Sequence, residues 1–212
     1  MAKPVFFSDW EKFYAEHELE GMPWYYSNLD HDFDRALKEF HVTEGLVLDL
    51  GTGPGTQAVA LAERGFKVVA TDISGSAVKK AAEAIQGKKL PVVFRQDDIV
   101  SSELEDTFDA IFDRGCFHVL EEAQRASYVR HIFCLLANGA FLFLKTFSVQ
   151  EPFRDGPHRF TPQDIQRIFG PVLTVISTRE SFFMGNHKPD PRALFCVIRK
   201  PVKPVPLPEV PG

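Results

Sequence analysis

The chain has 212 residues, 44% of them apolar, and 24 Lys and Arg against 29 Asp and Glu give a formal charge of −5. That length suits one substantial core in a single domain, and the mild acidic excess, with no basic run longer than two lysines, leaves no broad nucleic-acid footprint. Three widely spaced cysteines form neither a disulfide framework nor a CxxC metal pattern, and no stretch reaches the roughly 18 apolar residues of a membrane span or the layout of a signal peptide, so a cytoplasmic location is expected.

Residues 1–42 carry both tryptophans, Trp10 and Trp24, and three of the four tyrosines, Tyr14, Tyr25 and Tyr26. SDWEKFYAEHELE is expected to be helical, capped by Ser8 or Asp9. GMP interrupts it, and Leu29, Phe33, Leu37 and Phe40 recur at helical spacing in a second helix. The segment reads as a helical appendage of the same domain, either covering a sheet edge or closing as a lid over a ligand.

From 43 to 200, strands and helices alternate. LVLDL, KVVATD, PVVFRQDD and AIFDRG are expected as the first four strands. TQAVALAER, closed by Gly65, and SGSAVKKAAEAIQG, begun by Ser74 or Ser76, are the helices among them. EAQRASYVRHIFCLLANG is a long helix, and AFLFLKTFS a strongly apolar fifth strand. TPQDIQRIFG opens with Thr161 as cap, Pro162 next and Asp164 three residues after the cap. VLTVISTRES and RALFCVIRK have no helix between them, which suggests a hairpin. The alternation implies an α/β fold: a seven-stranded, mostly parallel sheet with an antiparallel last strand and helices on both faces. PVKPVPLPEVPG, 201–212, holds five prolines and reads as an extended tail, passive or bound by a partner.

LDLGTGPGT, 48–56, sets Gly51, Gly53 and Gly55 at alternate positions between the first strand and its helix. Such a turn lets something approach the backbone at the start of a helix. The dinucleotide pattern G-x-G-x-x-G is missed, because the third glycine comes one residue early and Thr56 takes its place. A phosphate loop is excluded, since no Gly-Lys-Ser/Thr follows. VLDLGTGPG, Asp72 at the end of the second strand, Asp98 in RQDDI, FDAIFDRGCFHVL (108–120) and LLANGAFLFL (135–144) together resemble class I S-adenosylmethionine-dependent methyltransferases over about 46–199. Ala137, Asn138 and Gly139 depart from that family's usual Lys-Pro-Gly but still suit a tight turn. DRGCFHVL and GPHRFTPQDI are more narrowly similar to small-molecule methyltransferases of the thiopurine and tellurite-resistance type.

The resemblance implies a Rossmann-like fold and S-adenosyl-L-methionine as cofactor; the spacing of the histidines offers no compact metal motif, so no metal is expected. It places Asp49, Gly51, Thr52, Gly53 and Gly55 around the cofactor's amino-acid portion, Asp72 on the ribose hydroxyls, Ile73 on the adenine face, and Asp98 and Ile99 on the adenine edge, with Asp97 one residue out of register. Asp113 and Arg114 are expected nearby, and the methyl group should face the end of the fourth strand. There His118 is a candidate base or a histidine bonded within the junction, Asp113 a candidate catalytic residue or else one that holds the loop or pairs with Arg114, and His158 a second base if its loop folds inward. Trp10, Tyr14, Trp24, Tyr25 and Phe117 are candidates to enclose an apolar acceptor, or else core residues, and Arg154, His158 and Arg159 candidates to hold an anionic one, or else exposed loop charges. The expected acceptor is a small molecule with a soft heteroatom, neither nucleic acid nor membrane; methylation of a macromolecule and a non-catalytic cofactor-binding protein stay open. The sequence leaves the oligomeric state open.

Overall fold

The computed structural model describes residues 9–152 and 156–203. Within them the elements are α1 (Trp10–Glu16), α2 (His31–Glu39), β1 (Leu46–Leu50), α3 (Thr56–Ala62), β2 (Lys67–Asp72), α4 (Gly75–Ala84), β3 (Val92–Gln96), β4 (Phe108–Arg114), α5 (Glu122–Leu135), β5 (Leu136–Ser148), β6 (Arg159–Phe160), α6 (Pro162–Phe169), β7 (Thr174–Phe182) and β8 (Arg192–Arg199). The sheet runs β3-β2-β1-β4-β5-β8-β7, and the two-residue β6 pairs with β5. Only β8 runs antiparallel to its neighbours. This is the expected seven-stranded Rossmann-like sheet, with β6 as a short addition.

Both faces are covered, which is why AFLFLKTFS is apolar without alternation. Leu48, Leu50, Ile111, Leu142, Leu144 and Cys196 face α5 and α6 through Tyr128, Ile132, Ile165 and Phe169. Val47, Val68, Ala110, Phe112, Phe143 and Phe195 face α2 and α3 through Phe33, Leu37, Ala58 and Leu61. Burying each such large side chain contributes about 1.5–3 kcal/mol.

Local signals set the helix ends. Asp9 caps α1 by accepting from Lys12 N, and Ser74 caps α4 by accepting from Ala77 N. Thr161 and Asp164 form the expected reciprocal box at the start of α6. Several helices and strands are shorter than expected, and one junction is rebuilt. β5 begins at Leu136, and its pairing with β4 jumps from Phe108↔Leu136 to Ala110↔Phe141. The Ala137-Asn138-Gly139 turn is thus an excursion inside the strand, with Gly139 N donating to Lys200 O at 3.0 Å. The N-terminal segment divides: α2 is a core layer on the sheet, while α1 lies on α4 in a small cluster of Tyr14, Leu19, Met22 and Ala77. No helix of the described residues is long and apolar enough to cross a membrane. Arg154 and most of the proline-rich tail lie outside the described residues.

Candidate active site

The chain winds outward from β1 through β2 to β3, then returns to lay β4 and β5 on the other side of β1. Strand order therefore reverses between β1 and β4, and in open α/β sheets ligands bind in the crevice at the carboxyl ends of such a pair. The glycine loop after β1 and the 115–118 loop after β4 form its two walls.

The walls touch at Gly51. A Cβ there would lie 2.8 Å from Cys116 Cβ, and its φ of +64° disfavours other residues. Gly53, with φ +48°, is approached from above: a Cβ would sit 2.5 Å from the Tyr14 hydroxyl. Asp49 is buried and accepts from the Thr52 hydroxyl at 2.5 Å, and burial pushes its carboxyl up to about 6. Asp72 accepts from Gly53 N at 2.9 Å and from Ser74 N at 3.0 Å, which binds the loop to the end of β2. Burial raises the Asp72 carboxyl despite these amides. Ile73 beside it is 51% exposed, an apolar side chain at the crevice rim. Asp98 accepts from Val100 N at 3.0 Å and stays half-buried, while the Ile99 side chain enters the core. Asp97 instead accepts from Glu103 N at 3.1 Å and steers the following loop.

The charge pattern selects among ligands. Asp49 stands near the end of β1, Asp72 at the end of β2 and Asp98 just after β3, and 49–56 contains no cation. The field of Asp72 and Asp98 reaches Cys116, whose thiol is raised by burial first and then by Asp113, Asp72 and Asp98. A pyrophosphate would be repelled here, whereas an ammonium, a sulfonium and a ribose diol suit carboxylate acceptors. The donor set fits S-adenosylmethionine and fits a dinucleotide poorly.

Several expected roles change. Asp113 is no free acid or base: its oxygens accept from Gly115 N (2.9 Å), Cys116 N (2.7 Å), Phe117 N (2.9 Å) and the Tyr128 hydroxyl (2.7 Å). It anchors the loop, and burial pushes its carboxyl up to about 6. Arg114 turns to α2 and to two backbone carbonyls. Its Nε donates to Asp30 at 2.8 Å, Nη1 to Trp24 O at 3.2 Å, and Nη2 to Met184 O. Phe117 is no acceptor wall but a core residue against Tyr128, Phe160 and Phe169. Tyr14 lies on the cofactor loop rather than the acceptor side, and Trp10, Trp24 and Tyr25 pack around it.

His118 is buried between Phe147, 4.6 Å centroid to centroid, and Phe183, at 5.5 Å. Its Nδ1 has no hydrogen-bond partner among the described residues. Burial first, then the charges of His158 and Arg114, lower it to about 3, so the ring is neutral at physiological pH. His158 donates its backbone N–H to His118 O at 2.9 Å, and its Nε2 lies 3.7 Å from Glu121 on the rim. Arg159 sits in β6 beside Phe147, with Nε buried and no partner for it among the described residues.

Sequence reasoning missed a buried charge network. Lys145 Nζ lies 2.7 Å from Asp30 and 2.8 Å from Asp32, and Arg179 Nη2 lies 3.2 Å from Asp32. Ser181 donates to the same Asp32 carboxylate. Burial alone would raise both aspartates, but Lys145, aided by Arg114 at Asp30, holds them below the usual range. Asp30, His31 and Asp32 converge as metal ligands would, yet the Lys145 ammonium already fills the cation position between the carboxylates.

The methyltransferase domain family matches residues 47–139. An uncharacterized methyltransferase of Schizosaccharomyces pombe is 35% identical over 103 residues, which are 48% of this chain and 71% of that protein. A solved structure described by the conversion of a disulfide bond into a thioacetal group during echinomycin biosynthesis aligns with TM-score 0.78 at 22% identity, over 91% of this chain and 92% of that one. TehB of Haemophilus influenzae aligns with TM-score 0.67 at 17% identity, over 81% of this chain and 62% of that one. The crevice, its acids and these likenesses agree: the chain belongs to the class I S-adenosylmethionine-dependent methyltransferases.

Proposed function

We propose that the enzyme methylates a small molecule, at a thiol or another soft heteroatom, by direct in-line displacement. The observation that carries this reading is that, among the described residues, neither His118 nor Asp113 is poised as a base at the end of β4. His118 is lowered to about 3 and Asp113 is taken up by four donors. A phenol or amine needs a base near neutral pH, whereas a thiol supplies its own anion. The cofactor supplies a methyl group on a sulfonium; the new bond to the acceptor forms as the old S–C bond breaks, and its electron pair stays with the leaving sulfur. The protein's share is orientation and exclusion of water. Asp72 and the glycine loop hold the donor, and Phe147, Phe183 and His118 form an apolar niche with one ring nitrogen that has no partner among the described residues. That nitrogen suits an acceptor able to exchange a hydrogen bond with it.

The structural relative's sulfur chemistry, disulfide to thioacetal, supports the same class of acceptor. A labelled-methyl screen over thiols, phenols, amines, oxyanions of selenium and tellurium, and bulk tRNA tests the reading, with products identified by mass. Turnover on small thiols supports it. Transfer confined to phenols, amines or tRNA overturns it.

A further inference from the structure

We infer that α1 is a latched lid on the cofactor crevice, held by Glu11 at one end and Lys80 near the other, and that its release sets the rate of cofactor entry and product escape. The inference rests on the reading that Asp72 receives the cofactor.

Glu11 reaches across to the start of α4. Its Oε2 accepts from the Ser74 hydroxyl at 2.9 Å and from Ser76 N at 3.1 Å, and its Oε1 accepts from the Ser76 hydroxyl at 2.5 Å. A helix N-terminus favours an anion, and here a carboxylate from a segment more than sixty residues earlier supplies it. The reverse contact lies one α4 turn further on. Lys80 Nζ donates to His17 O at 2.8 Å and to Ala15 O at 3.4 Å, the carbonyls that α1 leaves unpaired at its end. The two helices therefore satisfy each other's termini.

Between these latches Tyr14 is buried with its hydroxyl on Gly53. Beneath it Asp72 keeps 7% of its surface, and both its oxygens hold backbone amides. A ribose cannot reach that carboxylate until Tyr14 swings aside. α1 has only seven residues, too few to be stable alone, so its tertiary contacts set its position. Glu11, Ser76 and Lys80 meet at exposed or half-buried positions where water can replace their bonds, while Ser74 is buried. The Trp10, Tyr14 and Trp24 cluster would reseal the crevice afterwards.

Both tryptophans of the chain sit in this cover, so intrinsic fluorescence reports on it directly. Stopped-flow mixing with S-adenosylhomocysteine is compared for wild type, Glu11→Gln and Lys80→Met, all with matched urea midpoints. The latch predicts association and dissociation rates raised roughly three- to tenfold in both variants, with a smaller change in Kd. It also predicts stronger acrylamide quenching before ligand is added. Unchanged or slower rates, with wild-type binding intact, overturn the latch and leave the Asp72 reading standing. Absence of binding in wild type overturns both.

Discussion

Lys145 Nζ grips both oxygens of Asp30, at 2.7 and 2.9 Å, with neither side chain exposed. The pair joins the N-cap of α2 to the carboxyl end of β5. Through Arg114 it also ties down the backbone at Trp24 and Met184. Lys145→Met removes the shared cation and leaves Asp30 to Arg114 and Asp32 to Arg179 and the Ser181 hydroxyl. Breaking a buried pair costs about 3–5 kcal/mol. A loss near 3 kcal/mol is expected in urea unfolding, because two cations remain; a change under about 1 kcal/mol would show the network dispensable.

Gly53→Ala should weaken S-adenosylhomocysteine binding about fivefold or more, because a φ of +48° strains any L-residue by about 1 kcal/mol or more in the loop whose N–H meets Asp72. The new Cβ would also crowd the Tyr14 hydroxyl at 2.5 Å, but that contact belongs to the closed cover and only pushes it outward. The loss should therefore persist in a Tyr14→Ala background. Calorimetric titration in both backgrounds decides this, and a loss that vanishes with Tyr14→Ala would put the cause in the clash.

Asp72→Ala should lower the same affinity by roughly tenfold to a hundredfold, the range for losing hydrogen bonds to an ionised group. The carboxylate also fixes Gly53 N and Ser74 N, so part of this loss comes through a loosened loop. Asp72→Asn keeps one acceptor oxygen and should fall between. An unchanged Kd for Asp72→Ala would remove it from the cofactor site.

The strands, their order of appearance and the cofactor loop were legible because each carries a local signature: apolar runs, glycine turns, and acids at strand ends. The Thr161 cap was readable for the same reason. The roles after β4 were not. Asp113, Arg114 and Phe117 stand together in sequence, yet one anchors its own loop, one reaches back to Asp30, and one enters the core. Their directions depend on partners up to 84 residues away. The network of Asp30, Asp32, Lys145 and Arg179 escaped notice because each looks like an ordinary surface charge until strands and helix meet. Tyr14 was assigned to the acceptor because nothing local shows that α1 docks on α4.

The pH profile of turnover should follow the acceptor, not the enzyme. His118 stays neutral above about 3, and Asp113 near it is held by four donors. With two thiols of different pKa, the inflection in kcat/KM should move with the thiol. A fixed inflection near 6–7 for both would reveal a titrating base.

His118 should also make the fold acid-sensitive in a way that a variant can isolate. Its folded pKa, about 3, lies below the ordinary histidine value, so the unfolded chain binds the proton more tightly. The stability it confers is complete above about pH 6.5 and drains away as pH falls toward 3. Asp49 and Asp113 oppose it: their folded values near 6 exceed the unfolded one, so they add stability as pH falls from about 6 to about 4. The wild-type curve alone mixes these signs. Comparing it with His118→Phe cancels the aspartates, which both proteins share. Between pH 7 and pH 4 the wild type should lose roughly 3 kcal/mol relative to the variant, read from urea midpoints at each pH. Parallel curves would mean that His118 gains a partner or water on protonation, and that its ring is not held in the apolar niche between Phe147 and Phe183.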